Sequence, residues 1–295
     1  MSDPNEILHC VQNDKVRNGK SSPTHLDAMP RVGVSACLLG QNTRYDGGNR
    51  LDPAIAEIIG AVAEIVPICP EMEIGMGAPR PPIRLVDSPG GLRARGVDDP
   101  AIDVTDALDG VGRVHSDLSG LILKNRSPSC GTGNTEVFSQ DGKLVSSAGF
   151  GIFALSIMGA APLLPVEDET VLHDRMRRNI FLLRLFVYDC WTHMADRVDE
   201  PFGWFAGETG FIVNALEPQV RQKLESITVR IGKDSGPTAC AEYVGALLSA
   251  LTSSPPEGTI HHVAGIAISL LSKRKRAGGL QTTAQESPSK PKRTL

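Results

Sequence analysis

Short apolar runs alternate with helix-periodic stretches through the first half of the chain. Val32-Gly33-Val34-Ser35-Ala36, Ile65-Val66-Pro67-Ile68 and Leu121-Ile122-Leu123-Lys124 each read as a buried strand. After the first run, Asp52-Pro53 supplies a helix N-cap and an N1 proline, and Ile55, Ile58, Ile59 and Val62 then recur at helical spacing. A second helix is predicted from Thr105 to Leu118, with Leu108, Val111, His115 and Leu118 on one face. Gly149 to Met158 reads as a further helix and Ala161 to Leu164 as a short fourth strand. Strands alternating with helices predict an α/β fold: a parallel sheet with flanking helices, Rossmann-like and three-layered, with right-handed crossovers. The Pro/Gly-rich stretch from Gly75 to Pro82, continued by Pro89-Gly90-Gly91, reads as a long loop of the kind that often carries function.

The pattern changes further on. Residues 173–193 predict a strongly amphipathic helix carrying Met176, Ile180, Leu183, Phe186, Val187 and Cys190. Residues 196–270 hold weaker helical patterns, such as Ala241 to Leu251, broken by Pro237, Pro255 and Pro256. The expected organisation is a disordered extension over 1–30, a βα domain over 31–168, a small helical C-terminal region over 169–270 and a disordered basic tail over 271–295. From Lys273 on, seven Lys/Arg stand against one acid, Glu286.

Composition adjusts this picture only slightly. The hydrophobic share of 41% is a little low, consistent with polar ends. A net charge of −4 makes no general case for nucleic acid, and no run reaches the roughly 18 apolar residues of a membrane helix. Six cysteines in 295 residues are too sparse for a secreted disulfide scaffold, and the first 30 residues lack the apolar segment of a signal peptide. The expectation is a cytoplasmic protein with reduced thiols and no membrane partner, with contact to RNA, thiolated tRNA included, kept only as the alternative reading of the basic tail. The oligomeric state is not legible.

The cysteines carry the candidate chemistry. Cys37, Cys69 and Cys130 each lie just past one of the three apolar runs. In an open parallel sheet, ligands bind outside the carboxyl ends of the strands. Three thiols delivered there suit a soft metal: Zn²⁺, Cu(I) or an iron–sulfur cluster. Their spacings of 32 and 61 residues are unlike the close pairs of structural zinc sites and suit a centre assembled by a whole fold. A [4Fe–4S] cluster held by three thiolates would keep one iron open. Glu71, in Cys69-Pro70-Glu71, is placed to serve as general acid or base, and Ser127, in Ser127-Pro128-Ser129-Cys130-Gly131, to orient a substrate or water. Arg44-Tyr45-Asp46-Gly47-Gly48 offers a guanidinium and close backbone approach, while Lys124 and Arg126 add positive charge. Cys190 reads as core, Cys240 precedes a helical stretch as an alternative approach to the fourth iron, His115 reads as a packed or rim residue, and His261-His262 read as solvent-facing.

These motifs resemble the thiouracil desulfidase family (TudS-type). Val34-Ser35-Ala36-Cys37-Leu38-Leu39-Gly40 with Arg44-Tyr45-Asp46-Gly47, then Cys69-Pro70-Glu71, then Leu123-Lys124 with Ser127-Pro128-Ser129-Cys130-Gly131, occur in the family's order. The resemblance implies a [4Fe–4S] cluster on Cys37, Cys69 and Cys130, with Glu71 and Ser127 as catalytic residues. Ser35, Arg44, Tyr45, Asp46 and Lys124 are then the substrate-binding candidates. The implied substrate is a small thiolated nucleobase or nucleotide (4-thiouracil or thiouridine monophosphate), converted with water to the uracil form and sulfide. Ile74 to Arg80, Ile83-Arg84-Leu85, Pro162 to Glu167 and Asn179 to Trp191 further resemble a subgroup fused to a second domain (RudS-type), though residues 196–295 do not resemble that second domain. The competing expectation is a non-catalytic iron–sulfur or zinc-binding redox or scaffold protein.

Overall fold

The computed structural model describes residues 29–113, 115, 117–194, 201–234, 237–252 and 257–284. The extension with His9 and Cys10, and the tail from residue 285, lie outside the described residues. Four strands form a parallel sheet in the order β2-β1-β5-β8: β1 is Arg31–Ser35, β2 Glu64–Ile68, β5 Gly120–Leu123 and β8 Val166–Asp168. Pro67 lacks a ladder donor and is tolerated because β2 is the sheet's edge. The centre strand β5 is buried along its whole length, as its unbroken Gly-Leu-Ile-Leu text requires.

Side chains divide between the faces with the period of two that a strand imposes. Val32, Val34 and Ile122 face one core together with α1 (Pro53–Ile58) and the long helix α5 (Arg175–Met194). Ile68, Leu121 and Leu123 face the other, against Phe153 and Ile157 of α4 (Ile152–Ala160). The two cores make the expected three layers. Asp52 caps α1 by accepting from Ala54 N at 3.1 Å, with Pro53 as its first residue.

The second sheet was not legible as such. Its order is β4-β3-β6-β7: β3 is Ile83–Ser88, β4 Gly91–Gly96, β6 Thr132–Phe138 and β7 Leu144–Phe150. The stretch expected to be a long loop therefore ends in a hairpin, with Pro89-Gly90 at its turn. The hairpin packs through Leu85 and Ala94 on Leu108 of α3 (Thr105–Gly112) and Ile152. α3 stops six residues before Leu118. The fourth strand falls at Val166–Asp168 rather than Ala161–Leu164, because Leu164 turns into the α4 core.

Beyond α5 come four more helices: α6 (Pro201–Ala215), α7 (Pro218–Asp234), α8 (Pro237–Thr252) and α9 (Glu257–Ala284). Three of them open on proline, which suits a first helical position because its missing N–H would be unpaired there. α9 continues to Ala284, so the stretch 271–284 assigned to the tail is helical. It is fastened to α5 by a buried polar cluster: Arg274 Nη1 donates to Asp189 Oδ2 at 2.7 Å, and Ser119 Oγ donates to Asp189 Oδ1 at 3.0 Å. No described helix is long and apolar enough to cross a membrane.

Candidate functional site

Because the four strands are parallel, their carboxyl ends share one edge. Ser35 leads into a 3-10 turn (Ala36–Leu39) holding Cys37, closed by Gly40 at φ 84°. Ile68 leads into Cys69, the N-cap of the short helix α2 (Pro70–Glu73). Leu123 leads into the turn ending in Cys130, and Asp168 leads into Glu169.

The three thiols lie along this edge, near enough for the charge of Cys69 to reach both Cys37 and Cys130. None is in a disulfide. Burial pushes Cys37 up to about 11 and nearby Cys69 adds to the rise, while Arg44 and Lys124 oppose it. Burial also raises Cys69, opposed by the Met72 backbone N–H. Cys130 is raised furthest, by burial first, then by Glu71, Cys69 and Cys37. The charge of Cys69 thus reaches Cys37 and Cys130, and that of Cys37 reaches Cys130, whereas the charges that bear on Cys69 are those of Glu71 and Arg80. Burial alone raises Cys240, which packs in the helical core, as does Cys190. Among the described residues, no group of three or more His, Cys, Asp or Glu is arranged to hold a metal ion.

Glu71 is more deeply fixed than a residue at a site's mouth. It is 9% exposed, and Arg80 Nε donates to its Oε2 at 2.7 Å while Ser129 Oγ donates to its Oε1 at 2.7 Å. Arg80 Nη2 also donates to Oε2. The same guanidinium donates through Nη1 to Thr43 O at 2.8 Å and Gly77 O at 2.6 Å, so it ties Glu71 to the Cys37 loop. Neither Arg80 nor Ser129 was singled out from the sequence for a role. A lone arginine ending a Gly/Pro loop was the available signal.

Ser127 acts first on its own turn. Its Oγ accepts the backbone N–H groups of Ser129 at 3.2 Å and Cys130 at 3.1 Å, which sets the thiol's position and leaves the hydroxyl proton to donate. Arg126, just before it, sits at φ 55°, and its N–H donates to Asn134 Oδ1 at 2.9 Å. Ser35 is 3% exposed; its Oγ accepts Lys124 N–H at 2.9 Å, and its hydroxyl lowers the pKa of Cys130. Inside the protein, then, Ser35 supports a thiol and a strand end. Lys124 Nζ pairs with Glu169, whose Oε2 accepts Asn125 N–H at 2.8 Å. Glu169 was missed, because a carboxylate following a three-residue strand has no distinctive text.

Arg44 lies over the Tyr45 ring with its guanidinium carbon 5.4 Å from the centroid, and Tyr45 is exposed. Asp46 accepts Gly48 N–H at 3.0 Å, a bond that lowers its pKa. His115 is a rim residue as expected: Nε2 is 3.1 Å from Glu73 Oε2 and the ring meets Phe153 edge-on. His261, expected to face solvent, instead pairs through Nδ1 with Asn179 Nδ2 at 2.7 Å.

The fold and this site define a class: a parallel α/β domain with three coupled thiols and a clamped carboxylate at the carboxyl ends of its strands. Residues 32–169 match the model of a family described as 2-thiouracil desulfurase. A curated relative, the uncharacterized protein YbbK of Bacillus subtilis (strain 168), is 29% identical over 126 residues, covering 39% of this chain and 83% of the relative. A solved structure, a [4Fe–4S]-dependent thiouracil desulfidase TudS, is 29% identical with a TM-score of 0.39, covering 49% of this chain and 93% of that one. The family match ends at residue 169, just before the helical region.

Proposed function

We propose that this chain is a [4Fe–4S]-dependent desulfidase that exchanges the sulfur of a thiolated uracil, as free base or monophosphate, for oxygen. The observation that carries this reading is the placement of Cys37, Cys69 and Cys130 past three strands of one parallel sheet, beside the clamped Glu71, within a segment that matches the desulfurase family model. The donor set suits a cluster by its chemistry, three free soft sulfurs, although the three are not drawn around a single ion. Three soft sulfurs, none in a disulfide, are all raised by burial, and Cys69 raises the other two, an arrangement that disfavours three bare thiolates and that a bound cation reverses.

When bound, the cluster would be held by Cys37, Cys69 and Cys130 and would supply a Lewis-acidic iron to sulfur. The protein's residues do the rest. In the overall exchange, water oxygen bonds to the ring carbon, the C–S bond breaks, and sulfur leaves as hydrogen sulfide, with no net redox change. Glu71, fixed in direction by Arg80 and Ser129, takes the proton from the water. Ser127 donates its hydroxyl proton to the water or to a ring group. The guanidinium of Arg44 and the Tyr45 ring present a cationic, planar surface on which a flat heterocycle can stack.

The test is anaerobic cluster reconstitution followed by a sulfide-release screen over thiobases, thionucleosides and their monophosphates. Cys37→Ala, Cys69→Ala and Cys130→Ala should each lose visible absorbance and activity together. Glu71→Ala should keep the absorbance and lose activity. A colourless protein that binds one zinc and releases no sulfide would reject the reading.

A further inference from the structure

A cavity of about 550 Å³ lies at the seam between the α/β domain and the helices that follow it. Its walls come from α1 and the turn after it, the 3-10 turn Glu169–His173, α5 and α9. Ser272 Oγ of α9 donates to Ala61 O at 3.4 Å, which ties two of these walls together. Ile58, Val62, Leu172, Leu182 and Ile268 give the cavity an apolar lining, and no cysteine lines it. Its size falls within the range of small-molecule sites, about 300–1,000 Å³. Leu182 and Ile268 lie beyond residue 169, where the family match ends.

Arg178 is half-buried in this lining. Its Nη1 donates to Leu172 O at 2.9 Å, which fixes the guanidinium against the wall. Among the described residues no carboxylate pairs with it, whereas Arg177 and Arg184 of the same helix reach Glu167 at 3.7 and 3.3 Å. A partly desolvated guanidinium is stabilised by a counter-ion, and its planar fork matches a carboxylate through two parallel hydrogen bonds. The other polar groups of the cavity narrow the choice. His173 Nε2 is already held by Asp52 Oδ2 at 2.7 Å, and Asn179 Nδ2 by His261 Nδ1 at 2.7 Å. Glu57 stands exposed on α1. A guanidinium that shares its cavity with an exposed carboxylate favours a singly charged anion over a phosphate dianion.

We propose that this cavity is a binding site for a small monocarboxylate with an apolar body. The carboxylate rests on the Arg178 guanidinium, and the body lies against Ile58, Val62, Leu182 and Ile268. The site is separate from the thiols, and the inference stands or falls independently of the desulfidase reading.

The probe is hydrocinnamate, a phenyl ring on a short aliphatic acid, titrated calorimetrically into the full chain under reducing conditions. Its uncharged amide and inorganic phosphate are the controls. Hydrocinnamate should saturate a single site, and the amide should bind about tenfold more weakly or worse. Phosphate in excess should not displace the acid. Arg178→Gln should weaken the acid by about tenfold and bring acid and amide to similar affinity. Ala61→Phe, which adds bulk at an exposed lining position, should weaken both. Methyl NMR of the wild-type chain should show hydrocinnamate shifting Ile58, Val62, Leu182 and Ile268, a result that locates the site even if Arg178→Gln does not fold. No saturable binding up to about 10 mM would overturn the inference. So would equal affinity of wild type for acid and amide, displacement by phosphate, an unchanged affinity in Arg178→Gln, or methyl shifts confined to other parts of the molecule.

Discussion

Replacing Arg80 by methionine isolates the clamp on Glu71. The Arg80 side chain is 5% exposed and that of Glu71 12%, so the substitution strands a carboxylate in a largely dry place. Breaking a buried pair from one side costs about 3–5 kcal/mol, whereas replacing both charges is often close to neutral. The lower part of that range applies, because Ser129 Oγ still donates to Oε1 after the change. Against this, Thr43 O and Gly77 O each lose a charged donor, which holds the expected loss near 4 kcal/mol. With a urea slope of about 3 kcal/mol per M, the midpoint should fall by roughly 1.3 M. The double variant R80M/E71Q should recover about half of that loss, since glutamine removes the unpaired charge but still accepts from Ser129. The assay is anaerobic urea denaturation of the reduced, cluster-free protein followed by far-UV circular dichroism, with slopes compared as well as midpoints. A single variant within about 0.3 M of wild type would refute the reasoning, as would a double variant no more stable than the single one.

Two further predictions follow from the same kind of accounting. A Cβ at Gly151 would overlap the Ser129 carbonyl and come within 2.6 Å of Cys130 N, both backbone atoms that cannot swing aside. Gly151→Ala should therefore displace Cys130, lowering cluster uptake measured by visible absorbance and stability by about 1–3 kcal/mol; unchanged uptake would show that the Cys130 turn adapts. Asp103 bears on pH. Burial pushes its carboxyl up, but hydrogen bonds from Arg93, Thr105 and Arg95 outweigh that and hold it well below the ordinary carboxylate range. A depressed folded pKa gives stability that is present above about pH 4 and is lost as pH falls through the folded value. Asp103→Asn should thus lower stability at pH 7 and flatten the acid limb of a stability–pH curve; an unchanged acid limb would remove Asp103 as a contributor.

What the sequence determined by itself was local and periodic. Val32 to Ser35, Ile65 to Ile68 and Leu121 to Leu123 announced strands through apolar runs too short for a helix, and Asp52-Pro53 announced a helix start through capping chemistry. The cysteines followed from those strands, because parallel strands share one carboxyl edge and anything just past them must gather there. The second sheet stayed hidden. β7 reads Leu-Val-Ser-Ser-Ala-Gly-Phe, text without a period of two, the alternation in β4 spans only Leu-Arg-Ala-Arg between two glycines, and these strands pair through backbone groups that every residue carries alike. The clamp on Glu71 was equally out of reach, since Arg80 lies nine residues away and Ser129 fifty-eight. Only tertiary structure decides which long side chain meets which carboxylate, because such pairs depend on loop paths and on the local exclusion of water, neither of which leaves a spacing in the chain.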